Sequence, residues 1–223
     1  MQNYLRQTLL AYGNSGRFVD IIFIDNFTSH TLFYGRKNKG NDFYHSKNYK
    51  AAVEAYTKAL EDIDSNASAI LNTVPTAVSL LLNRAAALLM LLQYREALSD
   101  CDRAISLDTV NSKAQFRKAT ALKGLGRLEE AIRALDIGLS LDPKSATAQS
   151  EKTALTRAVA QLSEARSLLK ERKFRLALAK AEDLMRAIGA GGSSREVGLI
   201  RTEALIELGR TEEAYNLSNS LVS

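Results

Sequence analysis

The segments KAAVEAYTKALEDI, REALSDCDRAISLD and EEAIRALDIGLSLD are three versions of one pattern. They align on Ala52, Ala97 and Ala131, and the last two alanines stand 34 residues apart. A fixed period of this size constrains the fold more than composition can. Each repeat is one supersecondary unit that cannot bury its apolar face alone, so neighbouring units must stack into a continuous core. The stretch NSKAQFRKATALKGLGRLEEAIRALDIGLSLDP (residues 111–143) shows what a unit holds: two short helices joined by a turn. Ala119 and Ala131 are small enough for antiparallel helices to approach closely, and Leu122 and Leu135 fill the gap between them. Gly126 falls at the turn, where a left-handed backbone is cheap. Pro143 stops the second helix.

This layout resembles the tetratricopeptide repeat, in which a small residue opens the second helix at the twentieth place of each unit. Setting the alanines there gives units at 33–66, 78–111 and 112–145. KFRLALAKAEDLM around Ala177 and ALIELGRTEEAYNLSNSLV around Ala214 add units at 158–191 and 195–223. Residues 67–77 and 146–157 fall between units, and each segment reads as a helix lengthened by up to three turns. GAGGSSRE (189–196) reads as a linker, since no Gly-Lys-Ser/Thr follows its glycines as a phosphate loop requires. The resemblance implies an all-α chain, a right-handed superhelix of helix-turn-helix units. It has three parts: residues 1–32 outside the repeat, a three-repeat domain over 33–145, and 146–223 with an extended helix and two further units. FVDIIFIDNF (18–27) reads as strand-like and has no assigned role. The fifth unit stops inside its second helix, so the expectation is a fragment or the start of a longer protein. Its face of Ala214, Leu217 and Leu221 is then partly exposed or paired with another copy.

Composition narrows the function classes. A single cysteine, Cys101, leaves no disulfide framework and suits a reducing interior, the cytoplasm or nucleus. With that cysteine and two histidines, His30 and His45, a four-ligand Cys/His metal site cannot be built. No paired carboxylates, nucleophile elbow or cofactor loop stands out, so neither an enzyme nor a cofactor is expected. The uncharged stretch 65–83 holds Ser, Asn, Thr and Pro75, and Arg84 separates it from the apolar run 85–92, which argues against a membrane span. Arg6 and Arg17, with no acid before Asp20, give a transit-peptide flavour without a secretory apolar block. The net charge of +5 and a pI near 9.3 favour an acidic partner.

Within that basic balance one pair is unusual. Lys113 and Arg117 share a helix face, repel each other, and have no acid in their own helix to answer them. The three repeats over 33–145 resemble the carboxylate-clamp tetratricopeptide domains of co-chaperones. Units four and five, with LIRTEALIELGRTEEA, resemble those of the J-domain co-chaperones, although no His-Pro-Asp loop occurs in this sequence. The resemblance implies a groove lined by first helices. There five residues grip the Glu-Glu-Val-Asp tail of heat-shock-70 or heat-shock-90 chaperones through its terminal carboxylate and last Asp side chain. The matching positions are Lys37 and Asn41 in KNKGN, Asn83 in LLNRAA, and Lys113 and Arg117 in KAQFRKA. Lys and Arg supply charge, Arg through two parallel bonds, and the asparagines add neutral donors without self-repulsion. Leu82, Ala86 and Phe116 stand beside them for the Val side chain.

A second reading is a tetratricopeptide scaffold in a nucleic-acid-associated or other multiprotein complex. Tyr44, Tyr49 and Tyr56 sit at core spacing rather than among the cations, which argues against base stacking. Cys101 reads as a buried small hydrophobe, KERKFR (170–175) as a solvated helix end, and His45 as a loop start.

Overall fold

The computed structural model of the chain describes residues 35–65, 70–188 and 195–222, and ten helices with short turns account for them. The strand-like 18–27, His30 and Leu221's side chain lie outside the described residues, as does most of the linker at 189–196. The helices are α1 (35–45), α2 (Tyr49–Ser65), α3 (Ile70–Met90), α4 (Tyr94–Leu107), α5 (Ser112–Gly124), α6 (Leu128–Leu141), α7 (Ala146–Lys170), α8 (Phe174–Ile188), α9 (Arg195–Glu207) and α10 (Thr211–Val222). They fall into two compact units, one running to Leu80 and the other from Leu81, so the boundary lies inside α3.

In the first unit, α1 and α2 approach closely because Gly40 has no side chain. A Cβ there would lie 2.5 Å from Cε1 of Tyr56, whose ring is 1% exposed. Arg36 at the start of α1 donates to both carboxylate oxygens of Asp62 at 2.6 Å and to the carbonyl of Lys58 at 3.1 Å. Asn48 caps α2, its Oδ1 accepting from the Ala51 N–H.

In the second unit the same device recurs with other rings. A Cβ on Gly124 of α5 would strike Tyr94 of α4, and one on Gly138 of α6 would come within 2.4 Å of Phe116 of α5. Ala119, Leu122, Ala131 and Leu135 are all at most 1% exposed, as their spacing predicts. The core they open continues through Leu155, Ala158, Leu162 and Ala165 of α7 to Leu184 of α8 and Val197 and Ile200 of α9.

Each turn between paired helices is closed by one left-handed residue: Lys47, Leu92, Gly126, Arg172 and Gly209, with φ between 59° and 75°. The next N–H reaches back five residues each time, as from Gln93 to the Leu88 carbonyl and from Arg127 to the Leu122 carbonyl, both 2.9 Å. This is the Schellman closure, which asks for a left-handed residue just past the helix. Only Gly126 and Gly209 meet the demand with glycine; Lys47, Leu92 and Arg172 adopt the conformation against their Cβ. KERKFR thus holds the end of α7, a turn over 171–173 and the start of α8, with Arg172 at the left-handed position and Lys173 paired to Glu171 at 2.7 Å.

The 34-residue period does not stop at α6. Asn111 caps α5 by accepting from Ala114 N–H, and 34 residues later Ser145 caps α7 by accepting from Ala148 N–H. Lys118 pairs with Asp102 at 2.7 Å, and Lys152 pairs with Asp136 at 2.5 Å. Ala114 and Ala121 are buried, as are Ala148 and Leu155. The first half of α7 is therefore placed like α5. Yet α7 has 25 residues against 13 in α5, and its turn to α8 comes twelve residues late.

One expectation about the last pair is corrected. Ala214 is 3% exposed, and Leu217 packs against a cluster of Leu178, Ala204 and Leu205, so that face of α10 is turned inward onto α8 and α9. Among the described residues, the exposed large apolar side chains of the last two helices are Leu199, Ile206 and Tyr215.

Candidate functional site

The local sequence around α5 explains how its cations are presented. Asn111 starts the helix and is itself steadied, its amide donating to Asp108 Oδ2 at 2.9 Å. Lys113 then falls in the first turn, the positive end of the helix dipole, where acids are the favoured residues. Helices α4, α6, α9 and α10 carry glutamate there, whereas α5, like α2, α3, α7 and α8, carries none. Lys113 is exposed and makes no ion pair among the described residues, whereas Lys118 and Lys123 of the same helix are paired with Asp102 and Glu151. Arg117, one turn on, is half-buried, and its charge is felt by Cys101 beneath it. Two adjacent cations at a helix N-terminus weaken the helix and concentrate positive potential where an anion would be welcome.

Lys37 and Asn41 share one face of α1, and both are half-buried. The Tyr56 hydroxyl donates to Asn41 Oδ1 at 2.8 Å, which engages the acceptor end of the amide and fixes how the side chain is turned. Asn83 stands half-buried on α3, next to Arg84. Lys37 and Asn41 belong to the first compact unit, and Asn83, Lys113 and Arg117 to the second. The three apolar candidates differ in what they touch. Leu82 is 5% exposed and lies in the core, Phe116 packs its ring over Gly138, and Ala86 is half-buried.

Two features escaped the sequence reading. Arg84 makes a two-bond fork to Asp100, Nε to Oδ2 at 2.8 Å and a terminal nitrogen to Oδ1 at 2.6 Å, with Asp100 only 5% exposed. The charge that broke an apolar run is thus a buried tie between α3 and α4; its partner sits in the next helix, where the pattern alone gave no cue. The Tyr56–Asn41 bond is the other, and the signal was present: a tyrosine at a core position needs a partner for its hydroxyl. Cys101 is fully buried, and burial pushes its thiol up to about 12, so it is an inert core residue. Among the described residues no cluster of His, Cys, Asp or Glu could hold a metal ion, and no helix is long and apolar enough to cross a membrane.

Comparison with known proteins agrees with this fold. The family model described as tetratricopeptide repeat matches residues 112–145, the α5–α6 pair and its flanks. DnaJ homolog subfamily C member 7 homolog of Dictyostelium discoideum is 40% identical over 84 residues, 38% of this chain and 14% of that protein. The chain spans 9% to 14% of the length of curated relatives such as this one. The second tetratricopeptide domain of the human RPAP3 protein, solved with the HSP70 peptide SGPTIEEVD, is 33% identical. The match covers 57% of this chain and 98% of that one, with a TM-score of 0.50. The tetratricopeptide domain of P58(IPK) shares only 16% identity, but the likeness covers 94% of this chain and 55% of that one at a TM-score of 0.70, which bears on the fold alone. An all-α solenoid of paired helices, built on a 34-residue period and matched by these relatives, leaves one conclusion: the chain belongs to the tetratricopeptide repeat family.

Proposed function

We propose that this protein-interaction module is a co-chaperone adaptor, binding the acidic Glu-Glu-Val-Asp tail of heat-shock-70 or heat-shock-90 chaperones through Lys37, Asn41, Asn83, Lys113 and Arg117. The observation that carries the reading is the state of Lys113. It is an exposed cation with no ion pair among the described residues, set at the positive end of α5 with Arg117 one turn away. Nothing in α5 gains from that arrangement, and an anionic guest does. The peptide held by the RPAP3 domain ends in Glu-Glu-Val-Asp, which supports the choice of guest. A tail of this kind carries a terminal carboxylate and an Asp side chain, and each asks for several donors aimed one way. Arg117 answers with a planar fork, and the asparagines answer with amide donors that add no charge. Ala86, Leu82 and Phe116 are the apolar side of the same reading. Such an adaptor works without cofactor or catalysis, in the cytoplasm or nucleus.

The test is a titration with a Glu-Glu-Val-Asp peptide as free acid and as terminal amide. Each charge-assisted bond lost is worth roughly 1.5–3 kcal/mol. Arg117→Ala or Lys113→Ala should thus weaken the free acid by about ten-fold or more, with helical content unchanged. Affinity should fall as salt rises, because the charges lie near the surface. If wild type and Arg117→Ala bind both peptides equally, the two cations are a solvated face and the reading is lost. A nucleic-acid scaffold would instead lose binding in proportion to total charge, with no dependence on a free carboxylate.

A further inference from the structure

The late turn of α7 has a geometric consequence. At about 100° per residue, twelve extra residues carry a helix through about three turns and a further 120°. Helix α8 therefore packs on a face of α7 about a third of the way round from the face that α6 covers on α5. The residues that a 34-residue unit would have buried are left open. Gln115, Ala119 and Leu122 of α5 are 6%, 1% and 1% exposed, while their counterparts Gln149, Thr153 and Thr156 on α7 are exposed. With Lys152, Arg157 and Ala160, and with Leu139 of α6 as an apolar wall, they line a cleft of about 570 Å³.

We propose that this cleft is a second docking surface, and that its occupant is an acidic segment of a partner protein bound in extended form. Charge sets the first half of that choice. The charged residues lining the cleft are Lys152 and Arg157, with no acid among them. Lys152 is engaged by Asp136, but Arg157 is exposed and has no ion pair among the described residues. Hydrogen-bond direction sets the second half. The Thr153 hydroxyl donates to the Gln149 carbonyl and the Thr156 hydroxyl to the Lys152 carbonyl, both at 2.9 Å, and the Gln149 amide donates to the Pro143 carbonyl at 2.8 Å. Both threonine hydroxyls are thus spent on carbonyls of the helix, and the Gln149 amide is turned back toward Pro143, so the strip shows mainly acceptor oxygens. An extended backbone offers N–H groups to such a strip; a helix keeps its own inside. From Gln149 to Ala160 the strip runs about 16 Å, the span of about five extended residues. This site does not use the cations of α5 and stands apart from the reading above.

The probe is a peptide of about five glutamates, acetylated and amidated so that it has no terminal carboxylate, its length set by that span. It is added to the whole chain and followed by amide chemical shifts. Shifts centred on Leu139 and residues 149–160 are expected. Arg157→Glu, at an exposed position, should weaken binding by about ten-fold or more at unchanged helicity. Lys113→Ala combined with Arg117→Ala should leave it unchanged. A glutamine peptide of the same length should bind far more weakly. Shifts on α5 instead of α7, equal binding by Arg157→Glu, equal binding of the glutamine peptide, or no shifts at all would each overturn the proposal.

Discussion

Helix α5 is 13 residues long and hides Ala119 and Leu122 beneath α6; helix α7 begins in the same register 34 residues later and shows Thr153 and Thr156 to solvent at the matching places. Their first two turns are alike, with a capping side chain, an alanine facing the preceding pair, and a lysine reaching back to an aspartate. The difference lies in where each helix ends. Length fixes rotation, rotation chooses the face offered to the next helix, and that face decides which residues become core. The side chains agree with the outcome, since small and apolar residues on α5 give way to threonines on α7. A period read from alignment therefore says where a helix starts more securely than what its far half will bury.

The largest effect should come from breaking that contrast directly. Leu122→Ala removes a side chain that is 1% exposed in the central core and should cost about 2–5 kcal/mol. Thr156→Ala, 34 residues on, removes an exposed hydroxyl and should change stability by no more than about 0.5 kcal/mol. Urea unfolding of the two variants measures both. Similar losses would mean that the face of α7 is covered and that the two helices do not differ as described.

A chemical version uses thiols. Burial holds the Cys101 thiol at about 12, so almost none is thiolate at neutral pH and alkylation should be very slow until the chain unfolds. A cysteine at the open position, Thr156→Cys, should react at the rate of a free thiol. The raised value also bears on stability. The folded state keeps its proton to higher pH than the unfolded chain, so the contribution is complete below the unfolded value near 9 and is lost as pH rises through the window from 9 to 12. Stability should fall there by roughly 1.4 kcal/mol per pH unit, and Cys101→Ala should flatten that slope.

How much of this could be read in advance depends on whether the signal was local. The alanines, Leu122, Leu135 and Gly126 were legible because helix packing and a left-handed turn each ask for a residue type at one place. The cations of α5 stood out for the opposite reason, since nothing local wanted them there. Less legible were features fixed by a distant partner. The Arg84–Asp100 fork joins residues 16 apart, and the inward turn of Ala214 and Leu217 depends on how α8 and α9 receive them. Three of the five turns also hid their left-handed residue behind a lysine, a leucine and an arginine.

Those turns supply a smaller test. Leu92 closes the α3–α4 turn at φ 60° and is 65% exposed, so its side chain gains little from burial while its backbone is strained. Gly126 closes the α5–α6 turn at φ 73° without that strain. Leu92→Gly should stabilise the chain by about 0.5–1 kcal/mol, the left-handed cost less the added freedom of the unfolded glycine. Gly126→Leu should lose a similar amount. Thermal midpoints of the two single variants and the exchanged double variant would show whether the turns are equivalent.

The smallest effect bears on the likeness of α5 and α7 rather than their difference. If the first half of α7 repeats the seating of α5, Lys118–Asp102 and Lys152–Asp136 are one interaction made twice. Their side-chain exposures are close, 31% and 52% in the first pair and 41% and 48% in the second. Exposed pairs of this kind are worth about 0.2–1 kcal/mol and weaken with salt. Double-mutant cycles should therefore return two small coupling energies of the same size, falling together between low and high ionic strength. The single changes would not suffice, because each also removes long-range interactions that the cycle subtracts. A clear coupling for Lys118–Asp102 with none for Lys152–Asp136 would mean that α7 is displaced from the seat its sequence register gives it. The cleft beside Leu139 would then be set by that displacement instead of by the twelve added residues.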